Sequence, residues 1–271
     1  MKHEETQRDE SEQSLRHERL AAYLKELGSL GVAFSGGVDS SVLLHAATAA
    51  LGDRAVGIIA DSPSLPRAEL REAKSLAAML GAKLRIVETR ELDDPLYVSN
   101  RGDRCFFCKT ALFESMELVA KELDLEALAF GEITDDLNDH RPGAQAARER
   151  GVVAPLRECG FSKLDVREYA RAYGLPVAEK PASACLASRI PVGTFVSREK
   201  LERVELAEAA LSELGLRVLR VRNHGQLARV EVGADELEGA RARMPEIEER
   251  LRALDFQELT LGVYGAASAT V

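Results

Sequence analysis

The chain has 271 residues, 45% of them hydrophobic and 30% charged, with a formal net charge of −9, enough for one large or two modest domains around an ordinary core. The negative balance excludes broad nucleic-acid binding, and no apolar stretch approaches the roughly 18 residues that span a bilayer, so neither a nucleic acid nor a membrane is expected as partner. The charged start is unlike a secretory leader and points to the cytoplasm, where the four cysteines (105, 108, 159 and 185) stay reduced and available for metal binding or catalysis.

Residues 1–11 are polar, lack an apolar period and read as a disordered lead-in. From 14 to 27, Leu15, Leu20, Tyr23, Leu24 and Leu27 recur at helical spacing. Strand and helix signals then alternate: strand 30–34, helix 38–50, strand 55–60, helix 67–80, strand 83–88, helix 109–123, strand 127–130, a short strand 152–154 and helix 164–173. This order predicts an α/β fold, a doubly wound parallel sheet spanning 12–194, with ligands bound beyond the carboxyl ends of its strands. The loops after Phe34, Ala60, Glu88 and Phe130 therefore share one rim. Past Thr194 come helix 198–214, strands 217–223 and 227–232, helix 234–254 and strand 258–263. They predict a smaller C-terminal α/β domain over 195–271, of split-βαβ type, with a frayed end at 265–271.

The most informative segment follows the first strand: Phe34-Ser35-Gly36-Gly37-Val38-Asp39-Ser40. Phosphate oxygens need several N–H donors converging on a small volume. Paired glycines let the backbone come close, and the next helix offers free N–H groups and a favourable dipole. The Gly-Lys-Ser/Thr ending of a Walker A loop is missing, so the lysine-centred NTPase reading does not apply. The segment resembles the pyrophosphate loop (PP-loop) of the ATP-pyrophosphatase superfamily, whose members split ATP into AMP and pyrophosphate to adenylate a substrate. Asp61 and Ser62, at the end of the second strand, either contact the nucleotide or cap the helix at 67. After the fourth strand, Gly131 leads into Glu132, Asp135, Asp136 and Asp139, then Arg141-Pro142-Gly143. Such crowded acids repel one another unless cations intervene, and magnesium on ATP phosphates would supply the charge.

Cys105-Phe106-Phe107-Cys108 stands just before a predicted helix, between Arg104 and Lys109. Two thiols at this spacing can face one metal or cluster, and the helix N-terminus favours thiolates. A third thiol, Cys185, lies in an irregular loop with basic flanks, Lys180 to Pro191, while Cys159 matches no motif. From chemistry alone, an iron–sulfur cluster, a zinc ion and a redox pair all remain open. In the second domain, Arg217, Arg220, Arg222, His224 and Arg229 surround a strand–turn–strand. Arg220 and Arg222 share a face at the strand spacing of two and suit a phosphate, or else form a solvated face. Glu231 reads as a metal ligand or an exposed acid.

Together the phosphate loop, Arg104-Cys105-Phe106-Phe107-Cys108-Lys109, the 135–143 loop and the 182–193 segment resemble the LarE family of ATP-dependent sulfur transferases, in order and over about 20–263. The resemblance implies adenylation of the carboxylates of pyridinium-3,5-biscarboxylic acid mononucleotide and their conversion to thiocarboxylates. That chemistry belongs to biosynthesis of the nickel-pincer nucleotide cofactor of lactate racemase. The resemblance also implies ATP and Mg²⁺ bound around Phe34, Ser35, Gly36, Gly37, Val38, Asp39, Ser40, Asp61, Ser62, Gly131, Asp135 and Asp136. It places substrate-phosphate arginines at Arg220 and Arg222, and it implies a homo-oligomer, a hexamer. Family members deliver sulfur either from one sacrificed cysteine, here Cys185, or through a [4Fe–4S] cluster on three cysteines, here Cys105, Cys108 and Cys185. The presence of all three favours the cluster, and the three thiols are expected to converge on the adenylated carboxylate. The rival reading keeps the fold but makes the chain an ATP-dependent amidotransferase or synthetase of the GMP or NAD synthase type.

Overall fold

In the computed structural model the described residues are 2–138, 142–181 and 183–265. Asp139, His140 and Arg141 of the rim loop, Ala182, and the end expected to fray beyond 265 lie outside them. The elements in chain order are α1 (Lys2–Glu26), β1 (Leu30–Ala33), α2 (Val38–Leu51), β2 (Ala55–Asp61), α3 (Arg67–Met79), β3 (Lys83–Glu88), α4 (Pro95–Ser99), α5 (Arg104–Leu123), β4 (Ala127–Ala129), α6 (Pro142–Glu149), α7 (Pro155–Glu158) and α8 (Lys163–Ala172). They continue with α9 (Arg198–Ser212), β5 (Leu219–His224), β6 (Leu227–Val232), α10 (Leu237–Ala242), α11 (Met244–Arg252) and β7 (Glu258–Val263).

Contacts divide the chain into one unit of Met1–Glu91 with Asp103–Ser183 and a second of Leu92–Gly102 with Ala184–Val271. This division differs from the sequence boundary at 194. The short Leu92–Gly102 segment joins the second unit because Asn100 stitches it there. Its side-chain amide donates to the carbonyls of Pro191 (2.8 Å) and Thr194 (3.1 Å), while its own carbonyl accepts from Gly193 N–H (2.8 Å).

The first unit is built on a parallel sheet of order β3-β2-β1-β4, as the alternation of elements predicts. Alternate residues feed two cores. Leu30, Val32, Phe34 and Ile59 pack with α1, α2, α3 and α8, whereas Ala33, Val56 and Ile58 pack with α5 and α6. Side chains alternate across a strand, so a sheet covered on both faces must be apolar on both. The predicted strand 152–154 is reduced to a single bridge between Ala129 and Val153. Pro155 follows at once and opens α7, leaving no donor to extend the ladder. Helix α1 starts at Lys2, so the lead-in expected to be disordered has helical backbone. Its sequence is rich in Glu, Gln, Lys and Arg and contains no Gly or Pro.

In the second unit β5 and β6 pair antiparallel and β6 and β7 parallel, in the order β5-β6-β7. The parallel strands are direct neighbours, so the split arrangement is not formed. The single helix expected over 234–254 is two, α10 and α11, because Pro245 cannot sit inside a helix and instead starts the second. Among the described residues, no helix is long and apolar enough to cross a membrane.

Candidate functional site

The phosphate loop connects β1 to α2. Gly36 has φ +72°, and a Cβ there would come within 3.0 Å of Ala73 on α3, so no other residue fits the turn without strain. Gly37 is the N-cap of α2 and supplies no capping side chain. The first-turn N–H groups of the helix therefore remain available to an anion. The serines organise the loop itself: Ser35 N–H donates to Ser40 Oγ (3.2 Å), and the hydroxyls of Ser40 and Ser41 donate to Gly37 O (3.1 and 2.7 Å). Phe34 is buried and holds the strand end, its N–H donating to Ile58 O at 2.8 Å.

The rim loop after β4 lies directly on this cradle. A Cβ on Gly131 would sit 2.9 Å from Ser40 N, so the missing side chain is what allows the approach. At the loop's far end a Cβ on Gly143 would meet Lys109 Cγ at 2.9 Å and Cys105 O at 3.7 Å. The loop thus touches the phosphate loop at one end and the first turn of α5 at the other. Its acids have different roles. Asp136 is buried and accepts from Ile133 N–H (3.1 Å), bracing its own turn, whereas exposed Asp135 accepts from Lys163 N–H (2.8 Å). Buried Glu132 is paired with Arg157, whose charged form is held by hydrogen bonds to Glu158 and Glu132 despite partial burial.

Sequence reasoning missed the cation at this rim. Lys163 Nζ lies 2.7 Å from both carboxylate oxygens of Asp39. A lysine opening a helix 124 residues away carries no local motif that would have revealed it. At the end of β2, Asp61 is ion-paired with Arg67, whose other nitrogens donate to the carbonyls of Ser62 (2.6 Å) and Leu65 (2.7 Å). The N-cap of α3 is Pro66, so neither Asp61 nor Ser62 caps that helix. Ser62 is buried, and its Oγ accepts from Ser64 N–H at 3.1 Å.

Cys105 and Cys108 are the second and fifth residues of α5, which starts at Arg104 and not, as expected, after the thiols. Three residues apart on a helix they share a face; Cys105 is exposed and Cys108 half-buried. A pair of soft thiols on one helical face fits two ligands of an iron–sulfur cluster or zinc ion. Cys159 is buried, and burial pushes its thiol pKa up. Among the described residues, no group of three or more His, Cys, Asp or Glu side chains is gathered to hold a metal.

Cys185 belongs to the second unit, as N-cap of a short 3₁₀ turn, Leu186–Arg189. Its carbonyl accepts from Ser188 N–H (2.9 Å), Ser188 Oγ (2.7 Å) and Arg189 Nη1 (3.0 Å). Arg189 is 2% exposed and bidentate to Glu208 on α9 (2.9 and 3.1 Å); it also donates to Ala184 O. Glu208 in turn accepts from Val221 N–H on β5 at 2.9 Å. On the face of β5 away from the core, Arg222 donates to Ser188 O (3.4 Å), so this arginine adjoins the Cys185 turn. Glu231 is a buried acid, neither exposed nor gathered with metal ligands: its Oε1 is shared by Arg222 (2.9 Å) and Arg229 (3.2 Å), while its Oε2 has no partner among the described residues. The Glu231 hydrogen bond raises the Arg222 pKa. Arg220 donates to Leu219 O and lies over the Tyr264 ring at 5.3 Å. Arg217 is exposed and pairs with Asp235 and Glu236.

No family model matches the chain. It is 34% identical over 250 residues to the pyridinium-3,5-bisthiocarboxylic acid mononucleotide synthase of Lactiplantibacillus plantarum, covering 92% of this chain and 91% of that one. It is 42% identical over 221 residues to an uncharacterized Synechocystis protein, with 82% of each covered. A glutamine-hydrolyzing GMP synthase component of Archaeoglobus fulgidus matches at 27% identity over 198 residues, 69% of this chain and 65% of that one.

Proposed function

The chain belongs to the LarE family, that of pyridinium-3,5-bisthiocarboxylic acid mononucleotide synthase, and from that premise we propose that it adenylates the carboxylates of pyridinium-3,5-biscarboxylic acid mononucleotide and converts them to thiocarboxylates. It is an enzyme, and the reaction consumes ATP and releases AMP and pyrophosphate. A carboxylate is a poor electrophile; joined to AMP it acquires a good leaving group, which a sulfur nucleophile displaces. The observation that carries this reading is the rim loop, which rests on the phosphate loop at Gly131 and on the Cys105 turn at Gly143. That continuity supports a reading in which the nucleotide and the Cys105 turn serve one reaction.

In this reading the N–H groups of Gly36, Gly37 and Val38 and the hydroxyls of Ser35 and Ser40 cradle the phosphates. Asp39 and Asp135 face the magnesium-bound phosphates, and Asp61 and Ser62 lie beside the nucleoside. Arg220 and Arg222 take the substrate phosphate, which the second unit presents beside Cys185. Cys105, Cys108 and Cys185 would hold a [4Fe–4S] cluster that, when bound, supplies sulfide; without it Cys185 is the sulfur donor. The setting is the cytoplasm, the assembly a homohexamer, and the product serves the cofactor of lactate racemase.

The test is an anaerobic assay with ATP, magnesium and the biscarboxylated nucleotide. Pyrophosphate release dependent on that substrate, with a product heavier by about 16 Da per exchanged oxygen, supports the reading. Cluster chemistry predicts roughly four irons per chain, lost in Cys108→Ala, whereas sacrifice predicts a Cys185 peptide lighter by about 34 Da. Full turnover of Cys185→Ser to an amide with ammonia would establish the synthetase reading instead.

A further inference from the structure

The chain reaches Cys185 through residues 176–183, which follow α8 and run beside α3. Arg167 on α8 donates to the carbonyls of Ala178 and Lys180, the second at 3.3 Å, and Arg171 pairs with Glu179 at 2.7 Å. Beyond Glu179 the hold passes to α3. Lys180 Nζ lies 3.0 Å from Glu72, and Ser183 Oγ donates to Glu69. Glu69 and Glu72 are three residues apart on one helix and so share a face. Glu69 stands in the first turn of α3, where the helix itself favours a carboxylate, and the Glu72 side chain is 64% exposed. Neither acid needs the segment as a partner, and surface contacts of this kind add little stability. Their effect is on placement. Pro181 has a fixed φ and no N–H to tie it elsewhere. Cys185 follows Ser183 by two residues, so its Cα lies within about 7.6 Å of the Ser183 Cα. Gly36 of the phosphate loop, Glu72 and Lys180 line one cavity of about 790 Å³. The same helix α3 begins at Arg67, the partner of Asp61.

Resting on the sulfur-transfer reading above, we propose that Glu69 and Glu72 are positioning residues for the sulfur step: they hold the segment that presents Cys185 and leave adenylation untouched. An adenylated carboxylate is open to two nucleophiles. Sulfur held at Cys185 bonds to the carboxyl carbon, the bond from that carbon to the phosphate oxygen breaks, and its electron pair leaves with AMP. Water attacking the same carbon returns the free carboxylate and AMP, so that ATP is consumed without a sulfur product. The outcome depends on where the sulfur stands, and a displacement of about 1 Å can slow a reaction about a hundredfold. Anchors at Lys180 and Ser183, both on the α3 acids and both close before Cys185 in the chain, set that position.

An anaerobic single-turnover assay of the full chain, with ATP, magnesium and the biscarboxylated nucleotide, tests this assignment by reading pyrophosphate and thiocarboxylate separately. The combined variant Glu69→Ala, Glu72→Lys is expected to release pyrophosphate within about twofold of the parent rate, while thiocarboxylate per pyrophosphate falls about ten- to a hundredfold. Exchange of the charges, Glu72→Lys with Lys180→Glu and Glu69 retained, should recover most of that yield, and Glu69→Gln, which still accepts from Ser183, should resemble the parent. An unchanged yield in the combined variant overturns the proposal. So does an equal fall of pyrophosphate and thiocarboxylate with a lowered melting temperature, which marks a framework role. If the unmodified chain releases no substrate-dependent pyrophosphate, the sulfur-transfer reading itself fails, and the proposal with it.

Discussion

The two units carry opposite charge problems. Around the phosphate loop, Asp39, Asp61 and Asp135 crowd one rim, and each is answered by a donor from a distant or neighbouring element, Lys163 or Arg67. On the second sheet the imbalance is reversed. Arg220, Arg222 and Arg229 stand beside one buried acid, Glu231, whose second oxygen has no partner among the described residues. The first region is poised for a cation that travels with phosphates, the second for an anion that can sit among guanidiniums. A metal-bound nucleotide and a phosphate-bearing substrate complement both. The proposed function gives each unit a different one of these two ligands.

The sharpest way to separate the regions is Cys185→Ser. Thiocarboxylate formation is expected to fall by about three orders of magnitude or more, while substrate-dependent pyrophosphate release persists for a first turnover. Mass spectrometry of the product and a pyrophosphate assay read the two halves independently. Next in size is Glu208→Ala. It strips the partner from Arg189, a guanidinium only 2% exposed, and breaking a buried pair costs about 3–5 kcal/mol. The expected result is a lowered thermal midpoint with AMP binding intact, because the lost contacts lie in the second unit. Loss of AMP binding would contradict that separation.

Arg222→Ala is smaller. Removal of its charged hydrogen bonds is expected to raise the KM for the pyridinium substrate about tenfold or more while the KM for ATP stays unchanged. A matching rise for ATP would dissolve the distinction between the anion-seeking and cation-seeking regions. The smallest effect belongs to the first unit alone. His45 donates to or accepts from Tyr169 at 3.0 Å, and burial pushes its pKa below the usual 6.5. Unfolded, it takes up a proton as the pH falls below 6.5; folded, it resists. Its contribution is therefore complete above pH 6.5 and is lost as the pH drops through the lowered folded value. His17, with burial and Arg16 acting in the same direction, adds to the trend. Urea midpoints at pH 7.5 and 5.5 should differ less in His45→Phe than in the parent chain.

Much of the first unit is legible in the chain itself. The strand at 83–88 is found as read, as is that at 227–232 in the second unit, and apolar runs near glycines locate β1 and β2. Signals fail where a proline interrupts the pattern or where a helix extends beyond its apolar period. Pro245 divides one predicted helix, Pro155 reduces a strand to a bridge, and the helix at Cys105 begins a turn earlier than its apolar period suggests. Of the site, the phosphate loop is readable because its requirement is local: glycines at fixed offsets between a strand and a helix. Gly131 and Gly143 are visible as residues, but their close approaches to Ser40 and Cys105 are not.

By itself the sequence determined the α/β order, the phosphate cradle, the three candidate thiols and the paired arginines, since each depends on residues near one another in the chain. Only the tertiary structure decided which charge answers which. Lys163 against Asp39, Arg189 against Glu208 and Arg222 against Glu231 are all set by packing between separate elements. A charge of either sign reads alike in sequence wherever it stands. Its partner is chosen by the few ångströms over which a hydrogen bond operates, and that distance is a property of the fold.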